Sequence, residues 1–323
     1  MPRAHTQMEM PMTTRTLIGS LVAAAIASVA LPAQAAVRTY VSPDGNDANT
    51  ASSCSMAAPC RQFAAALSVT DVAGEILATG SGEYAHFTID NKNVTITTAP
   101  GSYAAVSLAP APVTGVLITN GAVVTLKGLT FKGLPHTYGV QMSGGSSANV
   151  VDCFFDNVGT AIWVQYAAHV SVVGTTIVNT QYGIEVSAGA TVTVANTSMT
   201  EIGSRGIDIS GGTSGTATVS VTDTQMSCQN NTGPWAVSNS PGTGMTGKMN
   251  LTRVTVSNCY VGIGNSPATA GVGQIVAVSD SMVTGNGFGL WNGAGTFLSA
   301  GNNHVATNGT DTGGIITTTG LLH

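Results

Sequence analysis

The chain repeats one pattern of apolar and polar positions between residues 124 and 283. Each repeat opens on a segment in which apolar and polar residues alternate, as in VTLKGLTF and VSVTDTQM, and such alternation is typical of β-strands. A second short segment follows in most repeats and has the form Gly-apolar-x-apolar, as in residues 183–186 (GIEV). The opening segments begin 22 to 30 residues apart, at Val124, Ala148, Val170, Val192, Val219, Met249 and Val276.

Repeats of this length predict a parallel β-helix, an all-β solenoid in which each repeat forms one turn, here called a rung. Several short strands, with Gly and Asn at the corners, fit into one such turn. Leucine-rich repeats are disfavoured because their Leu and Asn frame is absent, and propeller blades need units of about 40 residues. Only 8% of the residues are charged, and 40 are glycines. Long amphipathic helices are therefore disfavoured, since the residues that fill exposed helical faces are scarce.

The charge balance bears on the class of partner. Ten Lys and Arg residues stand against fifteen Asp and Glu residues, which gives a net charge of −5 at pH 7. A nucleic-acid-binding surface carries an excess of cations, so we predict no nucleic-acid partner.

The N-terminus has the pattern of a signal peptide. An apolar run at residues 17–31 follows Arg15 and precedes the sequence Ala33-Gln34-Ala35, a small-x-small pattern that signal peptidase cleaves. The run is shorter than the roughly 20 residues of a membrane span, and no later segment is apolar enough to be one. We predict that residues 1–35 are removed, and that the mature chain, without a membrane span, is exported to the periplasm or secreted.

The cysteines fit an exported protein. Cys54 and Cys60 enclose a short loop, and their close spacing in an oxidising compartment predicts a disulfide. The other cysteines lie in the repeat region, where Cys153 suits a buried apolar position. A bridge between Cys228 and Cys259 is an alternative to two further buried thiols.

Two features of the chain resemble the pectate-lyase-like right-handed parallel β-helix superfamily. One is the repeat, and the other is the segment from residue 40 to residue 89, which contains YVSPDGNDAN, PCRQF and GEY. The resemblance implies a single-stranded right-handed solenoid, in which residues 36–91 form a short capping helix and the first rungs. Residues 92–323 would form the remaining rungs and a C-terminal tail. Phe63, Ala66 and Leu67 have the helical spacing that such a cap over residues 61–69 requires.

The repeat alignment also maps columns of surface side chains, because equivalent positions of successive rungs lie about 4.8 Å apart. The x position of the Gly-apolar-x-apolar segment predicts one column: Gln141, Trp163, Glu185, Asp208, Ala236, Gly264 and Trp291. A position three residues earlier predicts a second: Tyr138, Thr160, Tyr182 and Arg205. In a chain poor in charge and aromatic residues, the rungs between residues 138 and 208 are the best candidate for a site.

The uncharged members of this cluster are the types that bind sugars. Trp163, Tyr138 and Tyr182 offer flat apolar faces to sugar rings, and Gln141 can hydrogen-bond hydroxyl groups. We predict these four residues as substrate-binding.

The charged members have the types needed for catalysis. Glu185 and Asp208 would supply an acid and a base on adjacent rungs, and their mutual repulsion would raise one pKa. Arg205 would orient or deprotonate a uronate. The alternative is structural: Arg205 only forms an ion pair with Asp208 or Glu185 on a solvated surface.

The sequence predicts no metal site with matched ligands and no required cofactor. The histidines are scattered singly, without the spacing of metal ligands. Calcium binding is the one alternative, at a loop that equally suits a plain turn. Its oxygen-bearing residues are Asp44, Asn46, Asp47 and Asn49.

The resemblance implies a broad set of functions, since the superfamily includes polysaccharide lyases, polygalacturonase-type hydrolases, epimerases, phage tailspikes and adhesins. The clustered aspartates of the lyases and the paired-aspartate and Gly-His-Gly signatures of the hydrolases have no match here. We predict an exported β-helix protein that binds glycan or cell-surface polysaccharide. Two alternatives stay open: a polysaccharide lyase or glycoside hydrolase acting on an acidic polysaccharide, and a structural or adhesive surface module.

Overall fold

The computed structural model describes residues 36–109, 113–230, 232–266 and 273–319. The predicted signal peptide, residues 1–35, lies outside these residues. Within them, no helix has the length and apolar character needed to cross a membrane.

The described chain forms a right-handed parallel β-solenoid, and each rung contributes one strand to each of three sheets. Sheet A has twelve strands there, while sheets B and C have ten each. Sheet A consists of β1 Ala36–Val41, β2 Thr70–Ala78, β5 Val94–Thr98, β8 Val123–Lys127, β11 Ser147–Val151, β14 His169–Val173, β17 Thr191–Ala195, β20 Gly215–Thr222, β23 Met245–Thr252, β26 Ile275–Ser279, β29 Thr296–Ser299 and β32 Thr317–Thr318.

The other two sheets follow the same order along the axis. Sheet B consists of β3 Gly82–Tyr84, β6 Ala104–Ser107, β9 Leu129–Lys132, β12 Phe154–Asp156, β15 Thr176–Val178, β18 Ser198–Ile202, β21 Gln225–Cys228, β24 Thr255–Ser257, β27 Met282–Thr284 and β30 His304–Ala306. Sheet C consists of β4 Phe87–Asp90, β7 Thr114–Thr119, β10 Tyr138–Met142, β13 Thr160–Val164, β16 Tyr182–Val186, β19 Arg205–Gly211, β22 Trp235–Pro241, β25 Val261–Asn265, β28 Phe288–Asn292 and β31 Thr310–Gly314.

The register of sheet A confirms the repeat alignment. Ala148 pairs with Val124 on one side and with Val170 on the other, as the aligned repeat starts predict. The later starts pair in the same way through β26. Alternation along each strand therefore sends the same positions inward in every rung.

Stacks of identical or similar side chains fill the interior. Val150, Val172 and Val194 of neighbouring rungs are at most 1% exposed, and the rings of Phe131 and Phe155 stack with their centroids 4.6 Å apart. Burial of each such side chain contributes about 1.5–3 kcal/mol. The continuous core thus stabilises a structure whose described residues form three ion pairs.

The glycine of the Gly-apolar-x-apolar segment has a steric cause. A Cβ on Gly139 would lie 2.6 Å from the carbonyl oxygen of Ala161, and one on Gly183 would lie 2.4 Å from that of Gly206. The strands of sheet C approach the next rung so closely at these two glycines that even a Cβ would displace backbone.

A short helix covers the N-terminal end of the core, as predicted. The helix α1, Phe63–Val69, buries Phe63, Ala66 and Leu67 and begins two residues later than the predicted span. The Phe63 ring packs against the ring of Tyr84 at 4.7 Å and against that of Phe87 at 5.0 Å. A 3-10 helix, Asp47–Ser52, precedes α1.

The cysteines form two disulfides among the described residues. The predicted bridge between Cys54 and Cys60 is confirmed. Cys228 and Cys259 form the second bridge and join two neighbouring rungs across 31 residues of chain. Cys153 is free and buried, which agrees with its prediction as a small apolar residue.

Candidate functional site

The strand register of sheet C brings the predicted site residues together. Gln141 pairs with Trp163, Trp163 with Glu185, and Glu185 with Asp208. The second column is also formed as predicted, from Tyr138 through Thr160 and Tyr182 to Arg205. Both columns lie on the outward side of sheet C, a surface called the sheet C face below.

One member of the predicted column is wrong. Asp208 pairs with Ser238, not with Ala236, which is fully buried at the position of the glycines. The cause lies at Asn239, which occupies an inward position where the preceding rungs carry an apolar residue such as Val186 or Ile209. Its amide nitrogen instead donates to Asn265 Oδ1 at 2.9 Å and to the Gly247 carbonyl at 3.0 Å.

Two aromatic rings stack at the N-terminal end of the site. The centroids of Tyr138 and Trp163 are 4.9 Å apart and their planes meet at 19°. Both side chains are half-buried. The indole nitrogen of Trp163 is buried and has no hydrogen-bond partner among the described residues. An unsatisfied buried donor costs stability, and the contact between the two rings offsets part of that cost.

Gln141 belongs to a chain of polar side chains beside this stack. Its Oε1 accepts a hydrogen bond from the Thr114 hydroxyl at 2.9 Å, and its Nε2 donates to Gln165 Oε1 at 3.1 Å. These bonds fix the orientation of the amide on the sheet C face. One further N–H of Gln141 is left for another acceptor.

Glu185 and Asp208 face each other on adjacent strands and differ in their environments. Asp208 is 6% exposed, and its Oδ1 has no hydrogen-bond partner among the described residues. Glu185 is half-buried and accepts a hydrogen bond from the Ser210 hydroxyl at 3.0 Å. Two carboxyl groups on paired strands, which lie about 4.8 Å apart, repel each other when both are ionised.

The pKa values of both carboxyl groups are raised. Burial raises the pKa of Asp208 from 3.8 to about 6, although a hydrogen bond to Ser238 and the charge of Arg205 offset part of the effect. Burial also raises the pKa of Glu185, and the hydrogen bond from Ser210 opposes it. Asp208 therefore holds or releases a proton near neutral pH, as a general acid does.

Arg205 interacts with an aromatic ring. Its guanidinium carbon lies 5.0 Å from the ring centroid of Trp235, and Nη1 donates to the Ser204 carbonyl at 3.2 Å. Arg205 does not form the alternative ion pair with Asp208 or Glu185, because neither carboxyl group lies within 4.0 Å of its guanidinium nitrogens. Ion pairs that short among the described residues are Arg38–Glu75, Lys132–Asp156 and Arg253–Asp223.

Two longer rungs border the carboxyl pair. Strands β19 and β22 extend to Gly211 and Pro241, which pair with each other, and β20 and β23 begin early at Gly215 and Met245. The extra residues of these rungs thus form paired strands at the corner between sheets C and A. Ser210 belongs to this extension, which explains why its hydroxyl reaches Glu185.

Sequence reasoning missed an amide-lined depression at the opposite edge of the site. It has a volume of about 380 Å³ at the corner between sheets B and C and borders the tyrosine column. Among its lining residues are Asn157, Asn179, Gln181 and Gln229. Asn and Gln recur at this corner in the sequence, but their convergence depends on left-handed turns at Asn157 and Asn179.

The donor set on the sheet C face does not fit a calcium ion. Calcium takes six to eight oxygen ligands, and the face offers the two carboxyl groups of Glu185 and Asp208. No group of three or more His, Cys, Asp or Glu within the described ranges is placed to hold a metal. In the N-terminal loop, Asp47 Oδ1 accepts hydrogen bonds from the N–H groups of Arg61 and Gln62, each at 2.8 Å. Calcium binding at that loop stays a prediction.

The comparisons with known proteins agree with this architecture. Residues 76–241 and 114–320 match the family described as right-handed β-helix region, and the chain belongs to that family. A comparison with curated protein sequences gives no match.

Among solved structures, the chain is similar to pectate lyase Pel9A, with a TM-score of 0.58 and 16% identity over 88% of this chain and 77% of that one. At this identity the similarity shows a shared fold. That fold is the one predicted from the sequence resemblance to the pectate-lyase-like superfamily. A GH136 lacto-N-biosidase from Eubacterium ramulus matches with a TM-score of 0.45 and 12% identity, over 88% of this chain and 68% of that one. An alginate lyase from Paenibacillus sp. str. FPU-7 also matches with a TM-score of 0.45, at 13% identity over 87% of this chain and 100% of that one.

Proposed function

We propose that the sheet C face binds a glycan and that the stacked pair of Tyr138 and Trp163 is its main contact. The stack carries the proposal: it places two parallel rings at the surface of a chain in which aromatic residues are only 5% of the total. Sugar rings pack their apolar faces on such rings. The adjoining amides of Gln141 and Gln181 supply hydrogen bonds to hydroxyl groups without adding charge.

Binding to polysaccharide tests this function directly. Mature protein is run by affinity electrophoresis through gels that contain neutral or acidic polysaccharides, and wild type is compared with Trp163→Ala. We expect retardation of the wild type and its loss in the variant. Tyr103→Ala is the matched control, because Tyr103 is 47% exposed and lies away from the sheet C face. Equal retardation of wild type and Trp163→Ala would contradict the proposal.

Export is part of the same proposal. Its support is the sequence of residues 1–35 together with two disulfides, which persist in oxidising compartments. Expression of the full chain in a bacterial host and N-terminal sequencing of the periplasmic and extracellular fractions test it. We expect a mature chain that begins at Ala36. A full-length chain confined to the cytoplasm would contradict it.

A second candidate function is cleavage of the bound glycan by Glu185 and Asp208. The favouring observation is the pair itself, with the pKa of Asp208 at about 6 and both pKa values raised by burial. In this scheme Asp208 donates a proton to the leaving oxygen, Glu185 acts as nucleophile or base, and Arg205 orients the ligand. Adjacent strands lie about 4.8 Å apart, so the two side chains can reach the carboxyl separations of about 5–9.5 Å that glycosidases use.

Product analysis separates binding from cleavage. Neutral and acidic polysaccharides are incubated with wild type, Glu185→Gln and Asp208→Asn, with and without calcium, and the products are examined by mass spectrometry. Shortened chains in the wild type alone would support catalysis, and unsaturated ends would identify a lyase. Intact chains throughout, with folded protein, would contradict the second candidate and leave binding in place.

A further inference from the structure

All three tryptophans of the chain lie on the sheet C face. They are Trp163 in β13, Trp235 in β22 and Trp291 in β28, and each is half-buried at the surface, not packed in the core. The core of this solenoid is filled by smaller side chains, with Phe and Tyr as its largest members. A large apolar ring left partly exposed gains less from burial than it would inside, so three on one face point to a shared external contact.

Two of these indoles lie against glycines of the next rung. A Cβ on Gly264 would lie 2.8 Å from Trp235 Cζ3, and one on Gly313 would lie 2.5 Å from Trp291 Cε3. Both glycines occupy the x position of their rungs, the position that holds Trp163 and Asp208 elsewhere. Because these positions have no side chain, each indole ring packs flat against the backbone of the sheet.

Trp291 belongs to an aromatic patch at the C-terminal end of the face. Phe288 packs against Trp291 with centroids 4.9 Å apart, and Tyr260 meets Phe288 edge-on at 5.6 Å. Tyr260 is 39% exposed. We call these three residues the C-terminal aromatic patch. It lies five strand steps from Trp163, a separation of about 24 Å along the axis.

The charges between the two aromatic ends decide which ligand fits. Arg205 is the only Lys or Arg on the described part of the sheet C face, and it lies over Trp235. Glu185 and Asp208 lie beside it, and neither belongs to the ion pairs within 4.0 Å that the described residues form. A polyanion laid along the face would meet two carboxyl groups and one guanidinium, so the electrostatics disfavour it. A neutral sugar chain meets rings, amides and hydroxyl groups.

We infer that the C-terminal aromatic patch is a second glycan-binding platform, and that the ligand is a neutral oligosaccharide or polysaccharide that runs along the solenoid axis from Trp163 to Trp291. This inference rests on the proposed function and adds the ligand's charge class, direction and minimum length. A single sugar or a disaccharide reaches one platform. A chain that spans both ends gains the contacts of the second.

The test is a length series measured by isothermal titration calorimetry. The probes are cello-, manno- and xylo-oligosaccharides from disaccharide to octasaccharide, with oligogalacturonates as the charged comparison. For wild type we expect the affinity for a neutral series to rise with length. Trp291→Ala should lower the affinity roughly three- to tenfold, and only for the longest members of the series. Trp163→Ala is expected to weaken binding at every length, while Trp291→Phe retains most of the gain.

Several outcomes would overturn the inference. Equal affinities of wild type and Trp291→Ala at all lengths, with Trp163→Ala impaired, would remove the second platform and leave the proposed function standing. A preference for oligogalacturonates would overturn the charge class. A change of sedimentation coefficient on Trp291→Ala, without a change in sugar affinity, would make the patch a contact between copies of the chain. Failure of every sugar to bind the wild type would reject the inference and the proposed function together.

Discussion

Glu185 lies directly opposite Asp208 on the next strand of sheet C. The Ser210 hydroxyl donates to Glu185, whereas Oδ1 of Asp208 has no hydrogen-bond partner within the part of the chain that the structure describes. The pair therefore places two acidic groups at strand spacing in a partly dehydrated setting. Such an arrangement costs stability when both groups are ionised. The fold tolerates this cost because the burial of apolar side chains along the continuous core stabilises it.

Replacing Asp208 with Asn should stabilise the protein at neutral pH. The folded pKa of Asp208 is about 6, above its ordinary 3.8, so the unfolded chain ionises first as pH rises. The stability of the wild type should fall between about pH 4 and pH 6, by about 3 kcal/mol, and then level off. Asp208→Asn should flatten this fall and leave only the smaller contribution of Glu185. Urea midpoints from pH 3.5 to pH 8 measure the difference, and a wild-type midpoint that stays constant over that range would contradict it.

Much of the fold could be predicted because it depends on local periodicity. The alternation of apolar and polar residues aligns Val124, Ala148 and Val170, and the strands pair in that register. A slip by one residue would turn every inward side chain outward, so a buried face fixes the register. The same logic placed Glu185 beside Asp208.

The prediction failed where a rung breaks the apolar pattern. The sequence predicts Ala236 in the outward column, but this rung reads Ala-Val-Ser-Asn where earlier rungs read Gly-apolar-x-apolar. The structure buries Asn239 in a ladder of amides with Asn265. The sequence also left open the bridge between Cys228 and Cys259, because their approach depends on the lengths of two corners. The contact of Trp235 with Gly264 depends likewise on a side-chain direction that periodicity does not specify.

A side chain at Gly183 should destabilise the solenoid. A Cβ there would lie 2.4 Å from the carbonyl oxygen of Gly206, an atom of the backbone that cannot move without breaking the sheet. We expect Gly183→Ala to lower the urea midpoint by an amount equivalent to about 2–4 kcal/mol. Gly233→Ala is the matched control, since a Cβ at Gly233 meets nothing within 4 Å. Similar midpoints for the two variants would show that the strand spacing at Gly183 adapts freely.

Loss of the two disulfides should have unequal effects. The bridge between Cys228 and Cys259 spans 31 residues and joins two rungs, whereas that between Cys54 and Cys60 spans 6. By loop-closure entropy, the double Cys→Ser variant of the long bridge should lose about 3–4 kcal/mol and that of the short bridge about 2 kcal/mol. The long bridge also lies beside the polar depression that Gln229 lines, so its loss should loosen that corner first. Urea unfolding of both variants, with the oxidised wild type as the common reference, checks the order. A larger loss for the short bridge would mean that the N-terminal cap, and not the middle rungs, limits the stability of the solenoid.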